Sequence, residues 1–391
     1  MARNITVGID IGTHTTKVVV AELIRGKEKP FPKIIATGFA ETKGLRHGYI
    51  MSPGDVTRSV RQAVRQAEKA SGTEIKRAFL AIGGIGVTGT VCQSSSIVSR
   101  GDSEITDLDV KKVLESCESE LPSSFSMNRK VIHAIPISYK IDGRMVLGRP
   151  QGMKGMKLES RTLFVTCLEQ HLNDFIQAVG DAGIEVEDVM ASPLAASLIT
   201  LSKTQKIAGC VLANIGAETV SIVVFENNIP ISLEVFPIGS VDVTHDIALG
   251  LKISLEEAET LKIGSASELN VSRKRLDEII DARLSDIFEL IETHLKKIGR
   301  SGLLPAGIIM TGGGAGTSGI EENARATLKL PSKIAPVPFD GDRRNQPESV
   351  WAVAYGLCIL GFTQGEEPSL GVKIARKTTN SLLAWIKQFL P

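Results

Sequence analysis

Two widely separated stretches of this chain repeat one arrangement: a β-branched strand, a turn of small or hydroxyl residues, and a second β-branched strand. In residues 4–20, Ile5, Val7 and Ile9 precede Gly12-Thr13-His14-Thr15, and Val18-Val19-Val20 follow it. In residues 209–225, Val211, Leu212 and Ile215 precede the turn and Ile222-Val223-Val224 follow it. Each reads as a β-hairpin, and the pair reads as an internal duplication. A hairpin turn on small residues presents consecutive backbone N–H groups that can cradle phosphate oxygens. Two such turns predict two lobes facing one ligand.

The segments between the hairpins continue an α/β pattern, so the fold class expected is α/β lobes around mixed sheets. Val56, Val60, Ala63, Val64 and Ala67 predict a helix over 53–72, and 77–84 reads as a strand ending in Gly83-Gly84. From about 85 to 160 the texture changes to strand-like 87–99, a helix over 107–121, strand-like 131–141 and a Gly- and Met-rich loop, 148–157, which together predict an inserted subdomain. Residues 163–168 and a helix over 171–182 return to the first pattern. After the second hairpin, 241–251, 255–263 and 273–298 predict a mainly helical group. A short strand, 307–311, then runs into Gly312-Gly313-Gly314 and a helix from about Ser318, with Glu321 and Glu322 in its first turn.

A chain of 391 residues, 42% of them hydrophobic, is expected to hold two or three domains. Its 45 Lys and Arg against 44 Asp and Glu supply no global basic field, which argues against a nucleic-acid partner. Cys92, Cys117, Cys167, Cys210 and Cys358 are odd in number and lack CxxC spacing, so neither a disulfide framework nor a zinc site is expected and the compartment reads as reducing. The start, MARNITVGID, enters a strand at once and lacks the apolar region of a signal peptide. The apolar stretch 350–362 is too short to span a bilayer and reads as a buried helix. No HxxxH pair occurs among the six histidines, so no metal cage is expected beyond a nucleotide's Mg²⁺.

Asp10 ends an apolar strand directly before the first turn, where a carboxylate can orient water on a phosphate-bound Mg²⁺. Lys17 can reach a phosphate as a point charge. Taken alone, the segment is equally readable as a strand-end Asp capping its own turn beside a solvated Lys. Gly312-Gly313-Gly314 lets backbone pass close to a flat ligand, with a helix N-terminus behind it, although an ordinary strand-to-helix glycine turn has the same sequence.

In this order, residues 10–17, 209–224 and 307–319 resemble the first phosphate, second phosphate and adenosine motifs of the actin/Hsp70/hexokinase superfamily. Within it the chain resembles the bacterial cell-division family FtsA over roughly residues 4–363 and the extreme C-terminus. The insertion takes the place of that family's own subdomain, and VIHAIPISYKID, SPLAAS and EEAETLKIG resemble its segments. The resemblance implies a two-lobed actin-like fold with an FtsA-type inserted subdomain and a C-terminal amphipathic helix. It divides the chain into 1–85 with 335–363 as the first lobe core, 86–160 as the insertion and 161–195 as the first-lobe remainder. Residues 196–240 with 300–334 form the second lobe core, 241–299 a small helical subdomain, 364–380 a linker and 381–391 the terminal helix.

By the same resemblance ATP with Mg²⁺ binds between the lobes. Asp10, Gly12, Thr13, His14, Thr15 and Lys17 would contact it from the first turn, and Asn214, Gly216 and Thr219 from the second. Gly239 and Gly312, Gly313 and Gly314 belong to the same set, and Glu259 and Lys262 would sit by the ribose and adenine, a solvated helix face being the alternative. The implied partners are copies of itself in filaments, the C-terminal peptide of the tubulin homologue FtsZ on residues 241–300, anionic inner-membrane lipid and later membrane proteins of the divisome. The implied location is peripheral, on the cytoplasmic face of the cell membrane at the division septum. The pilus actin homologue PilM, which carries a similar insertion, and a sugar or acyl kinase of the same superfamily are the competing readings.

The second turn departs from the family pattern. Where Asp-Ile-Gly-Gly-Gly-Thr is usual, this chain has Asn214-Ile215-Gly216-Ala217-Glu218-Thr219. Asn214 cannot serve as an anionic base, and Glu218 brings negative charge toward phosphate. Binding with slow or absent hydrolysis is therefore expected, with ATP acting as a clamp between lobes.

Beyond Phe362 apolar periodicity stops until Leu382, Leu383, Trp385, Ile386, Phe389 and Leu390, which form one continuous helical face opposite Ser381, Ala384, Lys387 and Gln388. A helix packed on its own domain rarely needs so long a tether, whereas an interfacial anchor does; a disordered tail or one that contacts a neighbour in a filament is the alternative, with self-packing the weakest reading. Lys373, Arg376, Lys377 and Lys387 favour anionic headgroups. So short a helix is unstable alone in water. Six apolar side chains partly inserted offer about 6–9 kcal/mol gross, from which ordering subtracts several. A single tail is thus a weak anchor that polymerisation strengthens by making later binding events intramolecular. A flexible linker of this length spans about 23 Å r.m.s., enough for neighbouring tails to reach one surface. Deleting residues 381–391, or Trp385→Glu, should abolish co-sedimentation with anionic liposomes and leave ATP binding intact; pelleting equal to that of the full chain would refute the anchor.

Overall fold

The computed structural model describes residues 4–24, 31–264, 272–337 and 348–364. The expected terminal helix and nearly all of the linker before it lie outside the described residues.

The first hairpin joins β1 (Ile5–Ile11) to β2 (Thr15–Ile24), and β3 (Phe31–Glu41) pairs with β2, all antiparallel. A small hairpin of β4 (Leu45–Arg46) and β5 (Tyr49–Ile50) turns at His47-Gly48. Helix α1 (Pro53–Ser71) starts on a proline, whose missing N–H costs nothing there, and stops at Gly72, which takes the left-handed conformation at φ 66°. Strand β6 (Arg77–Ile82) then lies parallel to β1.

The insertion contains β7 (Val87–Ile97), α2 (Asp107–Ser119), α3 (Ser123–Ser126), β8 (Arg129–Ile141), β9 (Arg144–Val146) and β10 (Lys157–Leu168). Its four strands form a separate antiparallel sheet in the order β7-β10-β8-β9. Helix α2 closes one face of it through Val110, Val113 and Cys117. Residues 163–168, read from sequence with the first lobe, are the second half of β10 and pair along their length with β7 and β8. What changes at Leu163 is burial, from an alternating to a fully buried strand, and not the element.

Helix α4 (Glu169–Asp181) returns the chain to the first sheet, which β11 (Glu185–Ala191) completes parallel to β6. After α5 (Ser192–Thr200) and α6 (Lys203–Ala208) come β12 (Cys210–Ile215), β13 (Val220–Glu226) and β14 (Ile229–Phe236). The helical group is α7 (Ser240–Leu251), α8 (Leu255–Lys262) and α9 (Arg273–Lys297). Then follow β15 (Ile308–Thr311), α10 (Ile320–Leu328), β16 (Ser332–Ile334) and α11 (Ala352–Gln364).

The two large sheets have one topology. Their orders, β3-β2-β1-β6-β11 and β14-β13-β12-β15-β16, are each an antiparallel meander of three strands extended by two parallel ones beside the first. The duplication suggested by the hairpins thus extends to whole sheets. In the second sheet side chains alternate by face, as the strand period requires. Leu212, Val223, Phe225 and Ile309 join the core that also holds the first sheet, α5 and α11. Val211, Ala213, Ile222, Val224, Ile308 and Met310 pack instead with α7, α9 and α10.

Helix α11, foreseen as a buried apolar segment, crosses β1 and α5 at backbone contact distance. A Cβ on Gly8 would lie 2.1 Å from Ala354 O, and one on Gly356 would lie 1.9 Å from Ala195 O. Neither neighbour is a side-chain tip that could swing aside. Gly356→Ala should therefore lower the unfolding free energy by about 1–3 kcal/mol, since overpacking must displace backbone. In urea this is expected as a lower midpoint at unchanged slope; a midpoint equal to that of the parent would show that the helices slide apart freely.

Candidate nucleotide site

The two hairpin turns are built by the same bond. Gly12 N donates to Thr15 O at 3.2 Å, and Gly216 N donates to Thr219 O at 2.8 Å. In each the strand residue two before the glycine faces a partner two after the threonine: Asp10 opposite Lys17, and Asn214 opposite Ser221. A Cβ on either glycine would press on the threonine carbonyl, at 3.1 Å for Gly12 and 2.9 Å for Gly216. Asp10, Gly12, Thr15 and Lys17 on one side therefore correspond in place to Asn214, Gly216, Thr219 and Ser221 on the other.

Chemically the turns differ. Lys17 Nζ donates to Asp10 Oδ2 at 2.8 Å and to Thr15 O at 3.2 Å, an ion pair largely shielded from water. Asn214 and Ser221 place a neutral pair in the equivalent position. Thr13 is half-buried and His14 exposed at the crest of the first turn. The backbone of His14 is fixed from below, its carbonyl accepting from Thr42 N at 2.9 Å.

The second turn rests on two glycine segments. A Cβ at Gly312 would meet both Asn214 Oδ1 and Ile215 O at 2.5 Å, and one at Gly314 would meet Ile215 Cγ2 at 2.5 Å. Gly312 also has φ 88°, where only glycine is at ease. Gly313 faces solvent between them. The residues after it form a single 3₁₀ turn, Gly313–Gly316, and α10 begins only at Ile320. The helix expected from about Ser318 thus starts within two residues of that position, with the 3₁₀ turn between the glycines and its Gly319 cap. Gly239 lies against Ala217, where a Cβ would stand 2.3 Å from the carbonyl oxygen. Beside it Ser240 N and Val241 N donate to Gly216 O and Ala217 O, so the start of α7 holds the turn in shape.

Glu259 and Lys262 meet one turn apart on α8. Lys262 is 7% exposed, and its three ammonium donors go to Glu259 Oε2 at 2.6 Å, Thr244 Oγ1 at 2.8 Å and Ser240 O at 3.1 Å. Thr244 Oγ1 in turn donates to Glu259 Oε2 at 2.6 Å. Burial alone would raise the Glu259 pKa, but the bonds from Lys262 and Thr244 outweigh it, and the charges of Lys262 and His14 add to them, holding the carboxyl below its usual value. The alternative of a solvated helix face fits only Glu259, which is half exposed. Thr244 and Ser240 were not foreseen; their signal was a hydroxyl pair four residues apart at a helix start.

Comparison with known proteins now decides the family. Residues 211–355 match the family described as "Cell division protein FtsA", and 88–166 match the one described as "SHS2 domain inserted in FTSA". The chain is 30% identical to "Cell division protein FtsA" of Bacillus subtilis (strain 168), over 96% of this chain and 88% of that protein. It belongs to the FtsA family.

Among solved structures this FtsA-family chain is similar to one titled "PilM-PilN type IV pilus biogenesis complex", with TM-score 0.68, 18% identity, and 93% and 99% of the two chains covered. It is also similar to MreB5 of Spiroplasma citri bound to ADP, with TM-score 0.52, 14% identity, and 93% and 98% covered. Likeness at these identities shows the two-lobed actin-like fold alone. The pilus reading is accordingly no better supported than before, while FtsA relatives share the sequence itself.

One side chain of the second turn goes where sequence did not place it. Glu218 Oε2 accepts from the backbone N–H of His47, in the turn of the β4–β5 hairpin of the first lobe, and His47 Nδ1 lies 3.2 Å from Glu218 O. The carboxylate expected to face phosphate is instead engaged, through at least one oxygen, with the opposite lobe.

Proposed function

We propose that this FtsA-family protein is a cell-division adaptor that closes its lobes on ATP, assembles with copies of itself, and holds FtsZ to the cytoplasmic face of the membrane at the septum. The observation that carries the reading is the pair of glycine–threonine turns, identical in their closing bond and borne by sheets of identical topology. Such turns hold backbone donors in place for an anionic ligand before it arrives, so binding costs little reorganisation.

The residues present fit a nucleotide. Gly12 and Gly216 leave space where a Cβ would intrude, Gly312 and Gly314 do so beside the second turn, and Glu259 is held ionised and ready to accept from ribose hydroxyls. MreB5, which shares the fold, carries ADP in the structure named above. Asp10 supplies one carboxylate at the phosphate end, suited to a water on Mg²⁺ rather than to direct capture. Among the described residues no group of three or more His, Cys, Asp or Glu could hold a metal ion, so a Mg²⁺ would arrive on the phosphates. Bound ATP supplies charge that both turns grip at once. Lys262, with its donors already engaged, positions Glu259 rather than touching the base. Asn214 lacks the charge to activate a water, which keeps the clamp long-lived.

Filament formation with copies of the chain, capture of the FtsZ C-terminal peptide by the α7–α9 group, the anionic-lipid anchor in residues 381–391 and recruitment of later divisome proteins complete the reading. Among the described residues no helix is long and apolar enough to cross a membrane, and the adaptor reading requires none.

ATP with Mg²⁺ at about a hundredfold excess over its Kd should stabilise the folded state by about 2.7 kcal/mol. The expected result is a rise in melting temperature that Asp10→Ala diminishes; no shift with any adenine nucleotide at millimolar concentration would overturn the clamp. Asn214→Asp should raise phosphate release above that of the parent, and a parent with brisk turnover would show that another carboxylate does the chemistry.

A further inference from the structure

The contact between Glu218 and His47 belongs to a short chain of backbone contacts that ends at the root of the insertion. His47 N donates to Glu218 in the second lobe, while His47 O accepts from Ile85 N at 3.2 Å. Beside it the Cα atoms of Gly48 and Gly84 approach so closely that a Cβ on Gly48 would lie 2.3 Å from Gly84 Cα. Gly48 and Gly84 sit at φ 86° and 84°, and His47, at φ 46°, is a non-glycine residue in the same left-handed region. Such a conformation persists only where its surroundings hold it. Two residues past Ile85, β7 begins, the first strand of the inserted sheet.

We infer that Glu218 is a positioning residue that latches the second phosphate turn to the first lobe and, through His47 and Ile85, couples the contents of the cleft to the base of the inserted subdomain. The latch and the phosphate turn are one segment: Glu218 lies between Gly216 and Thr219, whose bond closes the turn. A terminal phosphate drawn to those amides brings negative charge beside the carboxylate, which loosens its hold on His47. Loosening releases the His47 N–H, and the carbonyl of the same residue accepts from Ile85 N, so beyond Glu218 itself the signal reaches Ile85 through backbone alone. Among the described residues the inserted sheet makes no ladder bond to the first-lobe sheet; it is held where β8 accepts from Ala191 N at His133 Nε2, where Gly89 packs against Leu233, and at residues 84–87 that lead into β7, so a change at that root alters one of the places at which it is held. The ligand arm of this inference rests on the nucleotide reading above; the latch itself does not.

Amide hydrogen exchange read on peptides covering residues 45–50 and 84–88 tests both. In the ligand-free full chain, Glu218→Ala should speed exchange at His47 by about tenfold or more and carry a smaller increase to Ile85, whereas Glu218→Gln, which keeps an acceptor oxygen, should preserve protection. Unchanged exchange in Glu218→Ala, with melting temperature near that of the parent, overturns the latch whether or not nucleotide binds. Loss of protection in Glu218→Gln equal to that in Glu218→Ala also overturns it, since the bond would then not be what protects. Adding ATP with Mg²⁺ should change exchange at 84–88 in the parent and leave Glu218→Ala unresponsive there. If ATP raises the melting temperature of both proteins and peptide 84–88 responds equally in each, the coupling through Glu218 is refuted while the nucleotide reading stands. If ATP raises neither, the nucleotide reading and the ligand arm fail together, and the ligand-free comparison still decides the latch.

Discussion

The placement of everything in the cleft depends on one helix pressed against backbone on two sides. Helix α11 meets β1 at Gly8 and α5 at Gly356, both too close to admit a side chain. Because α5 also packs through Leu194 and Ala196 into the core shared with Leu212 and Phe225 of the second sheet, the two contacts fix the separation of the sheets and hence of the hairpin turns. The second lobe is tied into the same support. Ser349, just before α11, accepts from Gly312 N and Thr311 Oγ1 through its carbonyl and returns a hydroxyl bond to Gly312 O at 3.0 Å. The glycine turn beside the candidate adenosine position is thereby anchored to the chain that leads into the lobe-bridging helix.

On that support the chain sets two equal backbones with unequal charge. The first turn carries the shielded Asp10–Lys17 pair, and the second has Asn214 opposite Ser221 with Glu218 turned toward His47. In the proposed reading, a backbone that grips phosphate on both sides while only one side bears a carboxylate at the strand end is suited to holding a nucleotide more than to cleaving it. In the adaptor reading this is useful, because a filament whose subunits remain clamped keeps its weak membrane tails together.

Much of this was legible in the sequence because the informative elements are local. Hairpins marked by β-branched runs around a small turn, and helices α7, α8 and α9 with caps and apolar spacing, need only neighbouring residues to declare themselves. The third strand of each meander did not, for one shared reason: β3 and β14 are edge strands with proline at the second position, Pro32 and Pro230, which reads as a break unless the edge is known. The long β10 was divided because its burial changes halfway. At the site, positions were legible and partners were not. Lys262 gave no sign that Ser240 and Thr244 would occupy its donors, and no spacing rule links Glu218 to His47, a contact that exists only once two lobes have folded and met.

The most direct measurement is a crystal or cryo-electron microscopy structure of the protein with ATP and Mg²⁺, phased without reference to nucleotide position. The account predicts phosphates between the Gly12–Thr15 and Gly216–Thr219 turns, the ribose within hydrogen-bonding distance of Glu259, and adenine over Gly312 to Gly314. Nucleotide density touching only one of the two turns, or lying outside the cleft, would contradict it.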